Sequence, residues 1–134
     1  MSRAGDYIPA DVRREVIKRA GNQCEYCLMP DDDELTYYSF HIDHIRSLKH
    51  RGDSHIDNLA YACAYCNGAK GADIGSIHDL TGEFVYFYNP RTQRWDDHFR
   101  MVDFVIEPLT ATGWVTVTML LFNTPYRIET RRMI

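Results

Sequence analysis

Two Cys-x-x-Cys pairs constrain the fold of this chain more than any other feature of its sequence. Cys24 and Cys27 form the first pair, and Cys63 and Cys66 form the second. Two-residue spacing lets both sulfurs of a pair turn towards one metal ion, and two pairs complete a tetrahedron. A closed set of four thiolates is typical of structural zinc without an open coordination position. The pairs therefore predict a zinc cross-link between distant parts of the chain.

Disulfide bonds and a redox dithiol are the two other interpretations of these cysteines. Disulfides fit poorly with a chain whose residues 1–6 are polar and lack the apolar core of a signal peptide. A redox dithiol needs one pair rather than two. The polar start, and the lack of any apolar run approaching 18 residues, also predict a cytoplasmic protein with no membrane partner.

Length and composition fit one small globular domain. The 134 residues, 45% hydrophobic and 25% charged, predict a single domain over residues 1–134 whose core gains from a cross-link. The net charge of −4 argues mildly against a nucleic-acid partner. However, four of the 19 acidic residues form one run at 31–34, and the basic residues are 12 arginines and 3 lysines. A local basic surface suited to phosphate is therefore compatible with the overall charge.

Periodicity and turn residues predict an α+β arrangement. The elements expected in the first half are a helix over 9–20, an exposed acidic loop at 31–34, a strand over 36–45, a polar loop at 46–57, a strand over 58–62 and a helix that opens near Asn67. Those expected in the second half are strands over 84–88 and 101–107 and a closing helix over 125–133. Residues 114–122 fit a strand or a helix, and the stop residues Asn123 and Pro125 favour the helix.

A second polar group lies between and just after the cysteine pairs. Asp43 and His44 are adjacent at the end of a predicted strand, and Asn67 follows the last cysteine, so the zinc would fix its position. Oxygen ligands from Asp43 and Asn67 suit a hard ion such as Mg²⁺. His44 beside that ion suits a general base for water, which is the equipment for phosphodiester hydrolysis. The plain alternative is a polar strand end and a helix cap.

Three separated segments resemble the HNH endonucleases. They are residues 40–45 (Phe-His-Ile-Asp-His-Ile), 57–60 (Asp-Asn-Leu-Ala) and 63–71 (Cys-Ala-Tyr-Cys-Asn-Gly-Ala-Lys-Gly). The resemblance covers about residues 20–75 and implies a ββα-metal core with a four-cysteine zinc site. The segments 87–91 and 95–99 are similar, less specifically, to the tail of small stand-alone bacterial members. An N-terminal helix and a C-terminal strand and helix extension over about 80–134 complete the expected fold.

The resemblance also implies a role for each matching residue. His44 is the general base, and Asp43 and Asn67 bind the catalytic ion, Mg²⁺ with Mn²⁺ as the alternative. Asn58 is the middle residue of the family motif and braces the loop that orients His44. The four cysteines bind the structural zinc. Lys70 is a phosphate contact near the start of the helix.

The chain departs from the family pattern at two positions. Asn67 stands where many members have histidine, which puts the metal preference in doubt. Arg51 precedes Gly52 where many members have two glycines, so it either changes the shape of the loop or contacts phosphate. His41 and His50 lie near the site in sequence and are candidates for catalysis, phosphate or metal binding. His98 is a further candidate for phosphate or metal binding, with a structural role as the alternative, and His55 and His78 are expected at the surface.

These residues predict a metal-dependent DNA endonuclease or nickase, as a monomer or homodimer, with an accessory protein as an aid to targeting. The alternative is a zinc-stapled module that binds nucleic acid or protein without catalysis, and a toxin-like nuclease ranks lower because no secretion route is evident.

Six tail arginines could contact backbone phosphates without reading sequence or could pair with acids. They are Arg91, Arg94, Arg100, Arg127, Arg131 and Arg132.

Overall fold

The structure, a computed structural model, describes residues 7–32 and 39–134. Its helices and strands are α1 (Ala10–Ala20), β1 (Phe40–His44), β2 (Leu59–Cys63), α2 (Ala64–Lys70), β3 (Gly75–Ile77), β4 (Phe84–Tyr86), α3 (Trp95–His98), β5 (Phe99–Val102), β6 (Val105–Pro108), α4 (Ala111–Met119) and α5 (Pro125–Met133). Within these residues the strands form three antiparallel pairs, β1–β2, β3–β4 and β5–β6. The predicted mixture of helices and small sheets is confirmed.

Helix α1 lies where the sequence predicts it and packs on β2. Pro9 precedes its first turn, and Gly21 ends it with a φ of 67°, a left-handed conformation that favours glycine. Val16 and Ala20 are buried in an apolar cluster that also contains Leu59. This packing holds the start of β2 in place from one side.

Strands β1 and β2 form a hairpin that leads directly into α2. Five residue pairs, from Phe40 with Cys63 to His44 with Leu59, define its register. Helix α2 begins at Ala64, so the prediction that a helix opens near Asn67 was late by three residues. Cys63 caps this helix because its sulfur accepts a hydrogen bond from the Cys66 N–H. Asn67 therefore lies within the helix, one position after a cysteine that the hairpin fixes.

The second half is built from two hairpins and two longer helices. The predicted strand 84–88 is shorter, ends at Tyr86 and pairs with β3, which the sequence analysis did not predict. Residues 114–122 are mostly helical, as favoured, although α4 begins at Ala111 and ends at Met119. Helix α5 has the predicted bounds.

The predicted single strand over 101–107 was wrong because the chain turns in its middle. Strands β5 and β6 pair through a tight turn at Asp103 and Phe104, whose φ angles are 50° and 69°. The usual sequence signal of such two-residue turns is Asn-Gly or Asp-Gly. Because no glycine is present here, the apolar run looked continuous.

The main core joins the two halves of the chain around the cysteines. All four cysteines are buried in a cluster with aromatic and aliphatic residues of the second half, namely Phe87, Tyr88, Phe99, Ile106, Val115, Leu120 and Phe122. The cysteines therefore lie at the junction of the hairpin and the C-terminal extension.

Two expectations about surface residues need correction. Asp31, expected in an exposed acidic loop, is half-buried and accepts a hydrogen bond from the Tyr61 hydroxyl. Residues 33 and 34 of that loop, residues 36–38 of the predicted strand and most of the predicted N-terminal tail lie outside the described residues. His78 is buried, with its ring edge-on to Trp114 at 4.9 Å between centroids, whereas His55 is exposed as expected.

None of the helices within residues 7–32 and 39–134 has the length and apolar character needed to cross a membrane.

Candidate functional site

The four cysteine sulfurs converge into one buried cluster. The sulfurs of Cys24, Cys27, Cys63 and Cys66 all lie within 4.8 Å of one another. Tetrahedral zinc with Zn–S bonds of about 2.3 Å needs S–S separations of about 3.8 Å, and Cys27 Sγ lies 3.7 Å from Cys63 Sγ. The cluster therefore fits zinc, and the described residues hold no other comparable group of three or more His, Cys, Asp or Glu side chains.

Each Cys-x-x-Cys pair forms the same local turn. The Cys27 N–H points at Cys24 Sγ, and the Cys66 N–H points at Cys63 Sγ, both at 3.4 Å. Donors aimed at a sulfur stabilise its thiolate form, which is the form that binds metal. Hydrogen bonds within the cluster, above all with Cys24, hold the pKa of Cys27 well below its usual value.

A buried arginine from the last helix completes the cluster. Arg127 Nη2 lies 3.1 Å from Cys66 Sγ, and Nη1 donates to the Leu120 and Leu121 carbonyls at 2.7 and 3.0 Å. Its guanidinium also lies over the Tyr65 ring, 5.4 Å from the centroid. Burial alone would lower the pKa of Arg127, but the Cys66 and Cys27 sulfurs outweigh burial and raise it. Arg127 therefore balances part of the negative charge of the thiolates.

A second site lies at the end of the β1–β2 hairpin. Asp43, His44 and Asn67, which the sequence predicts to converge, line one cleft of about 270 Å³. Asp43 and His44 come from the end of β1 and Asn67 from α2. Residues 47–49 and 71–72 form the rest of its wall together with Ile42. The hairpin register and the cysteine cluster thus bring the three side chains to one place.

The Asp43 carboxylate is held at the base of this cleft. Only 5% of Asp43 is exposed. The Tyr26 hydroxyl donates to Oδ2 at 2.7 Å, and Lys70 Nζ lies 3.3 Å from Oδ1 and 3.2 Å from Oδ2. Burial raises the pKa of Asp43, while the Lys70 charge and the Tyr26 hydrogen bond act in the opposite direction. Each carboxylate oxygen has two lone pairs, so these donors leave acceptor capacity for a metal ion.

Lys70 does not have the position expected of a phosphate contact. Its side chain is 1% exposed, and the ammonium donates to the His44 carbonyl at 3.0 Å as well as to Asp43. A group so buried cannot reach a phosphate at the surface. Lys70 instead links α2 to the end of β1, because the last turn of α2 directs this side chain inward.

His44 is half-buried, and its ring is fixed by the following loop. Its Nε2 lies 2.9 Å from Ser54 Oγ. The loop, in turn, is held by Asn58: its Nδ2 donates to the Arg46 and Asp53 carbonyls at 3.0 and 2.7 Å, and its Oδ1 accepts from the Arg46 N–H at 2.9 Å. These three hydrogen bonds are those that a residue bracing the loop around His44 would make.

Gly52 is required by the close approach of the loop to itself. A Cβ at this position would lie 1.8 Å from the Arg46 carbonyl oxygen and 3.0 Å from Asn58 Nδ2. Only glycine fits this contact. The loop after β1 is therefore closed by Gly52 and Asn58 together.

Comparison with known families adds to this geometry. The model of the HNH endonuclease family matches residues 24–73. Residues 24–73 are thus similar to an HNH endonuclease domain. The match begins at Cys24, contains both cysteine pairs and the whole cleft of Asp43, His44 and Asn67, and ends shortly after α2. No curated protein and no solved structure shows a significant match to the chain.

The HNH match has a functional and a structural consequence. Members of the family are generally nucleases that bind nucleic acid and use divalent metals. The matched segment supports a function of that class for this chain. The C-terminal extension from residue 74 onwards lies outside the match, yet it supplies Arg127 to the cysteine cluster of the matched segment.

A second, basic cleft adjoins the cleft of Asp43, His44 and Asn67. It measures about 580 Å³, and the residues that line it are Ile45, Arg46, Lys49, His50, Arg51, Ile74, Tyr86 and Asn89. Lys49 lines both clefts. His50 and Arg51, predicted as phosphate contacts, are thus exposed in this basic cleft, whereas His41 is exposed on β1 and lines neither cleft.

The tail arginines mostly have structural partners rather than a shared exposed face. Arg91 pairs with Glu25, Arg100 Nε lies 2.8 Å from Glu107, and Arg132 Nε lies 3.4 Å from Glu129. The buried ones are Arg127 and Arg131, and Arg131 donates to the carbonyls of Phe104 and Phe122. The acid-pairing alternative therefore describes three of the six better than phosphate contact does.

Several residues around the two candidate sites were not predicted from the sequence. Tyr26 lies between two cysteines of one pair, so the sequence indicates that the cluster fixes its position, but not that its hydroxyl reaches Asp43. Arg127 and Arg131 are four residues apart on a predicted helix, which marks one face. Ser54, by contrast, lies in a polar loop where nothing in the sequence distinguishes it.

Proposed function

We propose that this protein is a metal-dependent DNA endonuclease or nickase that hydrolyses phosphodiester bonds. The observation that carries the proposal is that Asp43, His44 and Asn67 line one cleft within the segment that matches the HNH family. A binding module without catalysis has no need of a histidine beside two oxygen ligands. In this proposal β1, β2 and α2 form the ββα-metal core, and zinc binds the four cysteines.

The catalytic ion is proposed to bind Asp43 and Asn67. One carboxylate oxygen and one amide oxygen suit a hard divalent ion that keeps several positions for water and phosphate oxygens, as Mg²⁺ does. Tyr26 and Lys70 hold the Asp43 carboxylate in one orientation, so the ligand is in place before the ion arrives. Such an ion, when bound, supplies stabilisation of charge on the phosphate and the leaving oxygen.

His44 is proposed as the general base that takes a proton from the attacking water. Its place at the end of β1 puts the ring at the wall of the cleft, and Ser54 fixes the ring orientation. The hydrogen bonds of Asn58 and the close contact at Gly52 keep the loop that carries Ser54 in one conformation. Asn58 is therefore a positioning residue in this proposal, while His41, which is exposed on β1 and lines neither cleft, is not assigned a catalytic role.

The test is metal-dependent nicking of a supercoiled plasmid by the purified protein and by His44→Ala. We expect conversion to nicked or linear DNA with Mg²⁺ or Mn²⁺, and none with a chelator of the added ion. Loss of the general base should slow conversion by about 10²–10⁴-fold. Because half-buried His44 lies at a strand end, the variant should keep its far-UV circular dichroism spectrum.

His55→Ala provides a matched control for this test. His55 is an exposed histidine close to the same loop, but it lines neither cleft. Its removal should leave the rate of nicking unchanged. If the folded, zinc-loaded protein does not nick DNA with either metal, or if His44→Ala nicks at the wild-type rate, the nuclease proposal is wrong and the binding module is favoured.

Arg51 provides a prediction that separates stability from DNA binding. It has a φ of 66° and a ψ of 30°, a left-handed conformation that costs a residue with a Cβ about 1 kcal/mol. Arg51→Gly should therefore raise the free energy of unfolding by up to about 1 kcal/mol. It should also weaken DNA binding and reduce the slope of log affinity against log salt by about 0.7–0.9, the value for one lost phosphate contact.

Arg51→Lys is the control because it keeps both the charge and the strained backbone. Urea denaturation and fluorescence anisotropy on labelled DNA measure the two effects. An unchanged salt slope for Arg51→Gly would remove Arg51 from the DNA interface. A lower free energy of unfolding for Arg51→Gly would contradict the strained left-handed backbone at Arg51.

A further inference from the structure

An aromatic surface borders the basic cleft, which Tyr86 lines. It lies on the β3–β4 hairpin, where Phe84 is 51% exposed and Tyr86 is 65% exposed. The two rings touch edge to face, with centroids 5.2 Å apart. We call Ile77, Phe84 and Tyr86 the aromatic face of the hairpin. Exposed aromatic side chains grouped in this way mark interaction sites more often than isolated ones do.

The register of the hairpin explains why these side chains share one face. Gly75 pairs with Tyr86 and Ile77 pairs with Phe84, so alternation places them together, while Val85 faces the core. A Cβ at Gly75 would lie 2.7 Å from Phe84 Cζ. The glycine therefore leaves room for the Phe84 ring to lie across the hairpin beside Tyr86.

The charge of the adjoining surface indicates what this face contacts. Tyr86 lines the basic cleft together with Arg46, Lys49, His50 and Arg51. Among the described residues, none that lines this cleft is acidic, although the chain as a whole has a net charge of −4. A cationic groove beside exposed rings is the arrangement that binds single-stranded nucleic acid, with phosphates on the cations and bases stacked on the rings.

Lys49 connects this surface to the proposed reaction. Because Lys49 lines both clefts, a strand whose phosphate lies beside His44 can continue past Lys49 into the basic cleft. There its next bases would reach Tyr86. In a duplex the faces of the bases are covered by their neighbours, so only unpaired bases can stack on a protein ring.

We propose that Tyr86 and Phe84 form a stacking platform for unpaired bases next to the cleaved phosphate, so that the preferred substrate is DNA with a single-stranded flank. This inference rests on the proposed nuclease function and deepens it. The platform belongs to the C-terminal extension, outside the segment that matches the HNH family.

The test measures binding separately from cleavage. Fluorescence anisotropy without added divalent ion compares a labelled single strand, the same sequence as a blunt duplex, and a duplex with an unpaired flank. The wild type should bind the single strand and the flanked duplex more tightly than the blunt duplex. Tyr86→Ala should bind the single strand roughly 5- to 150-fold more weakly, the loss of one stacked base, while its affinity for the blunt duplex stays nearly constant.

Two further variants separate stacking from charge. Tyr86→Phe keeps the ring and should bind as the wild type does. Lys49→Gln removes a cation, so it should reduce the salt slope on single strands by about 0.7, whereas Tyr86→Ala should leave that slope unchanged. Tyr7→Ala, at an exposed tyrosine of the N-terminal segment, is the control for a tyrosine lost elsewhere.

The outcomes distinguish failure of this proposal from failure of the nuclease function. If Tyr86→Ala binds the single strand as tightly as the wild type, or if the wild type prefers the blunt duplex, the proposed stacking platform is wrong. Nicking of plasmid that depends on His44 would still support the nuclease function. If the wild type neither binds DNA nor nicks plasmid, both proposals fail, and a protein partner for the aromatic face becomes the better explanation.

Discussion

Removal of the metal from the four-cysteine cluster is expected to unfold the protein cooperatively rather than to loosen a single loop. The cysteines come from the turn after α1, the end of β2 and the start of α2, and all four are buried in the core that contains the second half of the chain. Structural zinc contributes about 10–16 kcal/mol of apparent binding free energy in zinc-finger peptides. A whole domain is stable by only about 5–15 kcal/mol. The free energy lost with the metal should therefore exceed the free energy of unfolding of the domain.

The measurement is near-UV circular dichroism during titration with a strong zinc chelator, with released zinc counted by a colorimetric indicator. We expect one zinc per chain and loss of the aromatic signal in step with zinc release. Cys27→Ser should show the same loss without chelator. Asn67→Ala, which removes a proposed ligand of the catalytic ion, should keep its zinc and its signal. A metal-free protein with an unchanged spectrum would show that the cysteines are not a structural zinc site.

Replacement of Lys70 by methionine is expected to destabilise the protein by about 3–5 kcal/mol, the usual result of breaking a buried ion pair. Lys70 and Asp43 are 1% and 5% exposed. Without the ammonium, the Asp43 carboxylate would remain buried with the Tyr26 hydroxyl, and the His44 carbonyl would lose a donor. Lys70→Met should also reduce nicking, because the orientation of Asp43 depends on this contact.

A second substitution shows whether the loss comes from the uncompensated charge. Asp43→Asn added to Lys70→Met keeps an acceptor for Tyr26 but removes the charge, so it should restore most of the stability and none of the activity. Lys18→Met, at an exposed lysine of α1, controls for the loss of a lysine as such. Urea denaturation with zinc present gives the free energies. A loss below about 1 kcal/mol for Lys70→Met would contradict the buried pair.

The parts of the fold that the sequence predicted are those specified by local chemistry. The Cys-x-x-Cys spacing is a local pattern that indicates two ligands of one metal ion, and two such pairs complete a tetrahedral site. The convergence of all four sulfurs was therefore expected and is confirmed. Helix α1 begins after a proline and ends at a glycine, and helix α5 begins at a proline, which fixes their bounds. The order of two strands and a helix around Asp43, His44 and Asn67 came from resemblance as well as from periodicity.

The parts that the sequence did not predict depend on contacts between distant residues. Lys70 lies 27 positions after Asp43, and Arg127 lies 61 positions after Cys66, so no local pattern links either pair. A lysine near a nuclease motif is naturally interpreted as a phosphate contact, but the inward turn at the end of α2 buries it. The β5–β6 hairpin was missed for another reason, since Asp103 and Phe104 adopt left-handed angles without glycine.

The contact between Arg127 and Cys66 makes the last helix part of the charge balance of the cysteine cluster. Zn²⁺ with four thiolates carries a net charge of about −2 in a buried position, which is costly to hold away from water. The guanidinium halves that charge from a distance of 3.1 Å. A chain cut between α4 and α5 would therefore lose the Arg127 charge in addition to the nine residues of α5. The net charge of about −2 of zinc with four thiolates would then be unbalanced in the core.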